Sequence, residues 1–154
     1  AQKLRQMCTT YHVPFIVDDD VELAQKVQAD GIHIGQSDES AKHVLTDVKD
    51  SMFVGLSCSN EKEILAAEQL PGIAYYGSGP VYTTDSKADA SPVIGITGLK
   101  RLNKLTTRPI VAIGGITEET VSAVAQTGVA GSAVISMIAQ STDIKKTVAK
   151  MLAV

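Results

Sequence analysis

The chain has 154 residues, of which 44% are hydrophobic and 20% charged, and this composition is typical of one globular domain with a core of its own. Its formal net charge of -3 argues against non-specific binding to nucleic acid or to an anionic membrane. No apolar run has the length of a membrane span, and the two cysteines, Cys8 and Cys58, imply no disulfide framework, so we expect a cytoplasmic protein.

The hydrophobic pattern predicts an alternation of helices and strands along the chain. In the first half it predicts a helix over 1–12, a strand over 15–17, a helix over 21–29, a strand over 32–34, a helix over 39–48, a strand over 52–56, a helix over 60–69 and a strand over 74–78. After a long loop over 79–95 it predicts a helix over 96–105, a strand over 110–113, a helix over 117–126, a strand over 130–135, a short helix from Ser136 and a final helix over 142–152.

Two of the predicted helices begin with a capping signal. Asn60 is a predicted N-cap, and Glu63 follows it three residues later, as in a capping box. Thr117 is the predicted N-cap of the helix over 117–126. Asp20, in contrast, is expected to be a solvated acid in the first turn of its helix.

The alternation of short strands with helices predicts a parallel sheet that is covered by helices. The strands are apolar without a clear alternation, which is typical of strands that are buried on both faces. Since a complete barrel needs roughly 200 residues or more, we expect residues 1–154 to form a single α/β domain of the TIM (β/α)8-barrel type, incomplete at about six strands and truncated at its N-terminus. A doubly wound open sheet is the alternative, but no Gly-x-Gly-x-x-Gly motif follows the first strand.

Polar residues and glycines follow every predicted strand, at the end where α/β proteins bind their ligands. The residues are acids and an amide after the first two strands, and hydroxyls, glycines and a lysine after the others: Asp18, Asp19, Gln36, Asp38, Ser57, Gly79, Thr84, Ser86, Lys87, Gly114, Gly115 and Ser136. If the strands belong to one sheet, these residues share one edge of it.

Asp19 and Asp38 are candidate ligands for a divalent cation, because they follow two neighbouring strands and carboxylate oxygens suit Mg²⁺. Each could instead cap the helix that follows it, and for either residue alone capping is the simpler interpretation. As a pair at neighbouring strand ends, they favour metal binding.

Two further segments are candidate phosphate sites. Gly114 and Gly115 let backbone N–H groups approach a phosphate closely, although a Gly-Gly pair by itself can be only a tight turn. Ser136 follows Ile135 at the start of a predicted short helix, and this position favours the phosphate interpretation.

The segment from Thr84 to Lys87 offers two hydroxyls and an ammonium group, which suit a phosphoryl group. A polar loop without any function has the same composition. Lys87 is the only basic residue from Gly72 to Gly95, so it is the natural counter-charge for an anion bound there.

Three other residues have simpler interpretations. Ser57 has no base near it in sequence and is interpreted as a hydrogen-bond donor, not as a nucleophile. His33 lies within an apolar strand and is interpreted as a satisfied core histidine, and Cys58 as a small buried residue. Together, the residues predict a magnesium-dependent protein that handles phosphorylated small molecules and binds anionic groups at two places.

Four segments, in the same order along the chain, resemble the thiamine phosphate synthase family: FIVDDDVELA at 15–24, ADGIHIGQSD at 29–38, YGSGPVYTTDSK at 76–87 and AIGGI at 112–116. The tripeptide Val-Ile-Ser at 134–136 extends the resemblance over nearly the whole chain. The resemblance implies an α/β barrel that joins hydroxymethylpyrimidine diphosphate to hydroxyethylthiazole phosphate, giving thiamine phosphate and pyrophosphate. It also implies that pyrophosphate leaves first, stabilised by a metal and a lysine, and that the thiazole nitrogen then traps the pyrimidine methyl cation.

The resemblance further implies a role for each matching residue. It puts Mg²⁺ on Asp19 and Asp38, and it puts the diphosphate substrate on Asp18, Ser57 and Lys87. The same match makes Lys87 and Ser57 the catalytic residues. The thiazole phosphate would lie on five residues: Thr84, Ser86, Gly115, Ile135 and Ser136.

The sequence also departs from the family's pattern. The family usually has Asn where this chain has Asp18, and an extra negative charge there disfavours a nearby pyrophosphate unless a metal offsets it. Pro is frequent in the family at Thr83, Thr at Ser86, and His at Ser59. Two further strands, with a Gln-x-Arg-x-Lys-type segment that helps to hold the pyrimidine diphosphate, are expected before Ala1.

Two alternatives remain open at this point. A thiazole tautomerase-like relative would share the fold and the thiazole phosphate site, but such relatives lack the paired carboxylates. A non-catalytic remnant of the fold would bind at most phosphate, and its two open sheet edges would favour self-association into a homo-oligomer.

Overall fold

The computed structural model describes residues 1–36, 41–84, 86 and 92–154. In chain order, its first elements are α1 (Gln2–Thr10), β1 (Ile16–Asp18), α2 (Val21–Lys26), β2 (Gly31–Ile34), α3 (Ala41–Val48), a 3₁₀ turn (Lys49–Ser51), β3 (Phe53–Ser57), α4 (Glu61–Ala67) and β4 (Ile73–Ser78). The later elements are α5 (Gly95–Asn103), β5 (Ile110–Ile113), α6 (Val121–Ala125), β6 (Gly131–Ala133), α7 (Ser136–Ala139) and α8 (Ile144–Leu152).

The six strands that the structure describes form one parallel sheet in the order β1-β2-β3-β4-β5-β6. Each strand pairs with the next one along the chain, and Asp18, His33 and Gly55 lie side by side in the first three strands. A doubly wound sheet would reverse its strand order at a switch point. Since the described strands show no such reversal, the doubly wound alternative is wrong, and the predicted parallel α/β architecture is confirmed.

The two faces of the sheet differ in burial. The face that packs against the helices is apolar and closed: Val17, Ile32, Val54, Tyr76 and Ala112 are each less than 8% exposed. We call the opposite side the inner face; it carries Asp18, His33, Ser57 and Tyr75, among other residues. Burial on both faces was predicted, but on the inner face Ile16 is 37% exposed and Ile113 is 39% exposed. That prediction therefore holds for the helix-facing side only.

The N-caps of α2 and α4 show that the prediction for Asp20 is wrong and that the prediction for Asn60 is correct. The Asp20 carboxylate accepts a hydrogen bond from the Leu23 N–H at 2.8 Å, so Asp20 is the N-cap of α2, and its prediction as a merely solvated acid is wrong. Asn60 caps α4 as predicted, because its side-chain oxygen accepts from the Glu63 N–H at 3.0 Å. The Glu63 carboxylate in turn accepts from the Ser59 N–H, one residue before the cap, at 2.6 Å.

The prediction of Thr117 as an N-cap is wrong, because Thr120 is the residue that precedes α6. The helix begins at Val121, and the residues before it form a turn in which the Thr120 N–H donates to the Thr117 carbonyl at 3.1 Å. Glu118 is then directed to α8, where it pairs with Lys150 and accepts a hydrogen bond from the Thr147 hydroxyl at 2.8 Å. Among the described residues, no helix has both the length and the apolar character that a membrane span requires.

Candidate functional site

Two loops at the carboxyl edge of the sheet are joined to each other by backbone hydrogen bonds. The Val81 N–H donates to the Ile113 carbonyl at 2.9 Å, and the Tyr82 N–H donates to the Gly114 carbonyl at 3.0 Å. The loop that follows β4 is therefore held against the loop that follows β5, as expected for ligand-binding loops of a parallel sheet.

Glycine is required where these loops touch. Gly115 has a φ of +66°, and a Cβ atom there would lie 2.5 Å from the Thr83 carbonyl oxygen. A Cβ atom on Gly79 would lie 2.0 Å from the Ile113 carbonyl oxygen. The close approach brings the segment of Thr83 and Thr84 next to Gly115, so two of the predicted phosphate-binding residues are neighbours in the fold.

Thr84 and Ser86 form a small hydroxyl turn. The Ser86 N–H donates to Thr84 Oγ1 at 3.2 Å, which leaves the proton of the Thr84 hydroxyl for another acceptor. Asp85 and Lys87 lie outside the described residues, so the position of the predicted counter-charge stays a prediction.

Ile135 and Ser136 lie where β6 passes into α7, and the predicted short helix from Ser136 is confirmed. Ile135 is 63% exposed, and Ser136 is exposed as well. Ser136 lines a cavity of about 520 Å³ together with Ile116 and Thr117. Glu118 and Glu119 also line this cavity. Lys146 and Lys150 line the same cavity, so its charged lining carries both signs.

Asp18 and Asp19 end β1 at the same edge of the sheet. Asp19 has a φ of +64°, and its N–H donates to the His33 carbonyl at 2.9 Å, so the chain turns sharply there. Because Asp20 provides the N-cap of α2, the capping alternative for Asp19 is wrong. Asp38, the other predicted metal ligand, lies outside the described residues.

The carboxylates at the end of β1 suit Mg²⁺ only as part of a larger set of ligands. In the part of the chain that the structure describes, no three His, Cys, Asp or Glu side chains are grouped as a metal site would require. Mg²⁺ normally keeps several waters and uses one or two carboxylates together with substrate phosphates. A carboxylate at the end of β1, on the carboxyl edge of the sheet, therefore fits this ion as a partial set of ligands.

A polar network on the inner face joins three strands. His33 Nδ1 lies 2.9 Å from the Tyr75 hydroxyl, and His33 Nε2 lies 3.0 Å from Ser57 Oγ. Burial lowers the pKa of His33, while the charge of Asp18 acts in the opposite direction. Burial also raises the pKa of Tyr75 to about 12, helped by the charge of Asp18. His33 is a satisfied histidine, as predicted, but its partners include Ser57, a predicted substrate ligand.

Sequence reasoning missed Tyr75. The signal for it was the two-residue period of a strand, because Tyr75 and Gly77 alternate with buried residues and share a face with Ser57. Gln36 contributes as well: its amide donates to the Ser57 carbonyl at 2.6 Å and holds the end of β3 in place.

Cys58 is fully buried beside this site and is expected to be unreactive. Burial, together with the nearby Glu63 carboxylate, raises the pKa of its thiol to about 12, so very little thiolate forms at neutral pH. Titration of the folded protein with a thiol reagent should modify Cys8, which is partly exposed, and should leave Cys58 unmodified until the chain unfolds. In Cys8→Ser we expect no rapid reaction; rapid modification of Cys58 in that variant would contradict its burial.

The parallel sheet and the loops at its carboxyl edge define the class of the protein. It is a TIM-type α/β protein that gathers polar side chains and glycines at the ends of its strands. The model of the family described as thiamine monophosphate synthase matches residues 1–138, and the chain belongs to this family.

Individual relatives agree with this assignment. The chain is 57% identical to the thiamine-phosphate synthase of Lactiplantibacillus plantarum over 98% of its own length and 70% of the relative. It is 50% identical to the thiamine-phosphate synthase of Limosilactobacillus reuteri over 97% of the chain and 69% of the relative. The solved structure of thiamine phosphate pyrophosphorylase from Pyrococcus furiosus superposes with a TM-score of 0.88 at 34% identity, covering 99% of this chain and 72% of that one.

Proposed function

We propose that the chain catalyses the Mg²⁺-dependent transfer of hydroxymethylpyrimidine from its diphosphate to hydroxyethylthiazole phosphate, forming thiamine phosphate and pyrophosphate. The observation that carries the proposal is the 57% identity to a thiamine-phosphate synthase over nearly the whole chain. The relatives named above are all synthases of this kind, and they give no support to a tautomerase or to a non-catalytic remnant.

We assign the pyrimidine diphosphate to Asp18, Ser57 and Lys87. Two contacts support Ser57 in this role, because His33 bonds to its hydroxyl and Gln36 bonds to its carbonyl. Both bonds fix Ser57 at the end of β3, on the inner face. Lys87 would supply the positive charge that a departing pyrophosphate needs.

We assign the thiazole phosphate to the other half of the edge, on Thr84, Ser86, Gly115, Ile135 and Ser136. The loop contacts at Gly115 support this assignment, since they bring Thr83, the residue before Thr84, close to that glycine. Hydroxyl and backbone N–H groups can bind a phosphate monoester through hydrogen bonds, even where no charged side chain is close to it.

Asp19 and Asp38 would hold Mg²⁺. When bound, the ion would offset negative charge on the pyrophosphate as the carbon–oxygen bond to the pyrimidine methylene breaks. The bond that forms joins this methylene to the thiazole nitrogen. The protein's part is to hold the two substrates at one edge of the sheet, so that the nitrogen faces the carbon that loses pyrophosphate.

We further propose that the six strands correspond to the third to eighth strands of an eight-stranded barrel, within one domain over 1–154. The support is that the chain spans 70% of the length of the Lactiplantibacillus relative. We also propose a cytoplasmic enzyme that acts on small phosphorylated molecules and forms a homo-oligomer, without nucleic-acid or membrane partners. Light scattering at several protein concentrations tests the oligomer, and a mass of one chain throughout would reject it.

The charge of Lys87 gives the proposal its first test. Lys87→Ala should weaken binding of pyrophosphate about tenfold or more in the presence of Mg²⁺, because a charge-assisted contact is lost. Isothermal titration calorimetry measures this change. Lys100→Ala, which removes an exposed lysine from α5, is the control and should bind pyrophosphate normally. Equal affinities in the two variants would reject the assignment of Lys87.

A further inference from the structure

Three side chains on the inner face form a line of two hydrogen bonds. The Tyr75 hydroxyl lies 2.9 Å from His33 Nδ1, and His33 Nε2 lies 3.0 Å from Ser57 Oγ. A neutral imidazole has one N–H donor and one acceptor nitrogen, so both bonds must run in the same direction along the line. The direction decides whether the proton of the Ser57 hydroxyl is used within the protein or is available to a ligand.

We infer that the line runs from Tyr75 to Ser57, which makes His33 and Tyr75 positioning residues for the Ser57 hydroxyl. Tyr75 donates to Nδ1, the Nε2–H donates to Ser57 Oγ, and the Ser57 hydroxyl donates its own proton to the substrate. The inference deepens the proposed function and rests on it, since it is the diphosphate substrate that calls for a donor at Ser57. The oxygens of a diphosphate accept hydrogen bonds, so a Ser57 hydroxyl that gave its proton to His33 would have none left for them.

The other end of the line supports the same direction. Among the described residues, His33 is the hydrogen-bond partner of the Tyr75 hydroxyl, and a half-buried phenol needs an acceptor for its proton. His33 Nδ1 is that acceptor. The requirement at Tyr75 and the requirement at Ser57 are independent of each other, and both lead to the Nε2–H tautomer of His33.

Glycines hold the two rings in their positions. A Cβ atom on Gly55 would lie 2.3 Å from the Tyr75 ring, and a Cβ atom on Gly77 would lie 2.8 Å from His33 Cε1. The rings therefore lie directly over glycine backbone. Phe53 packs edge-on against Tyr75, with 6.4 Å between the ring centroids. This packing keeps the imidazole and the phenol in one orientation, as a positioning role requires.

The tautomer can be measured directly. In the protein labelled with ¹⁵N at its histidine rings, His33 should show a protonated Nε2 and an unprotonated Nδ1 at neutral pH. Loss of one set of signals in His33→Gln assigns them. A protonated Nδ1, or an imidazolium ion, would overturn the inference whatever the activity of the protein.

A pair of adjacent tyrosines supplies the matched variants. Tyr75→Phe should shift the His33 tautomer and raise KM for the pyrimidine diphosphate about tenfold, as expected from the loss of one oriented hydrogen bond, with a smaller effect on kcat. Tyr76 faces the helices, where its hydroxyl bonds with Glu68 and Arg108 at 2.9 and 2.7 Å. Tyr76→Phe should lower stability only, leaving the tautomer and KM unchanged.

Separate measurements test the positioning role of Tyr75 and the binding of the diphosphate by Ser57. An unchanged His33 tautomer in Tyr75→Phe would overturn the role of Tyr75 in orienting His33. Ser57→Ala tests the substrate contact separately: an unchanged KM in that variant would refute Ser57 as a ligand of the diphosphate. In that case the tautomer measured by NMR would still decide the direction of the hydrogen bonds.

Discussion

Asp19→Asn should lower turnover about hundredfold and weaken Mg²⁺ binding to a similar extent, because the variant loses a carboxylate that the proposed ion requires. Asparagine is the informative replacement. Asp19 has a φ of +64°, and asparagine tolerates this left-handed conformation better than other residues do, so the backbone at the end of β1 should be preserved. Initial rates measured over a range of Mg²⁺ concentrations give both effects.

Asp20→Asn is the matched control, since it makes the same change of charge one residue away. Asp20 caps α2 through the Leu23 N–H, and asparagine is an equally good N-cap, so stability should change little. We expect its Mg²⁺ dependence to stay within about twofold of the original, as for a screened surface charge. If both variants lost Mg²⁺ affinity equally, the effect would be general electrostatics, and Asp19 would not be a ligand.

Gly115→Ala should weaken binding of the thiazole phosphate about hundredfold with a much smaller effect on the pyrimidine diphosphate. The new Cβ would lie 2.5 Å from the Thr83 carbonyl oxygen, so the loop carrying Thr84 must move away. The left-handed φ of +66° adds a backbone cost of about 1–2 kcal/mol. Calorimetric titration with each substrate separates the two sites.

Gly95→Ala separates the steric effect from the backbone strain. Gly95 has nearly the same φ, +64°, but its added Cβ would meet nothing within 4 Å. This variant should lose about 1 kcal/mol of unfolding free energy and bind thiazole phosphate normally. If Gly115→Ala weakened thiazole phosphate binding no more than Gly95→Ala does, the contact between the two loops would have no part in forming the phosphate site.

The strand order, and with it the edge of the sheet at which the proposed site lies, could be predicted from sequence because both depend on local patterns. Short β-branched runs specify strands, and parallel strands that follow one another with helices between them must bring their ends to one edge. Asn60 was recognisable as a cap since its partner Glu63 lies only three residues away. Each of these signals is contained in a few neighbouring residues.

The N-caps of α2 and α6 could not be predicted, because in each case two nearby residues of the same type are equally suitable caps. Asp19 and Asp20 have the same side chain. The backbone turns at Asp19, which has a positive φ, and Asp20 therefore becomes the N-cap of α2. Thr117 has every property of a cap, yet its turn is closed by Thr120, and Glu118 is drawn to Lys150 in α8. A contact 32 residues away along the chain leaves no trace in a local pattern.

The inner-face network was harder to foresee because it depends on register. His33 reaches Ser57 and Tyr75 only because the pairing places Gly55 beside His33 and Tyr75 beside Gly55. A shift of one residue in the β3–β4 pairing would turn Tyr75 towards the helices, and the same shift in the β2–β3 pairing would turn His33 away from Tyr75 and Ser57. The network therefore follows from three strands together and from no single motif.

In the mechanism that we propose, both substrates react at this edge of the sheet with the help of Mg²⁺. The most direct test measures pyrophosphate release and thiamine phosphate formation together, in the presence of both substrates, with and without Mg²⁺. Our account predicts release that requires Mg²⁺ and equals the thiamine phosphate formed, and that falls about hundredfold in Asp19→Asn. Absence of release, or release that needs neither Mg²⁺ nor the thiazole phosphate, would contradict it.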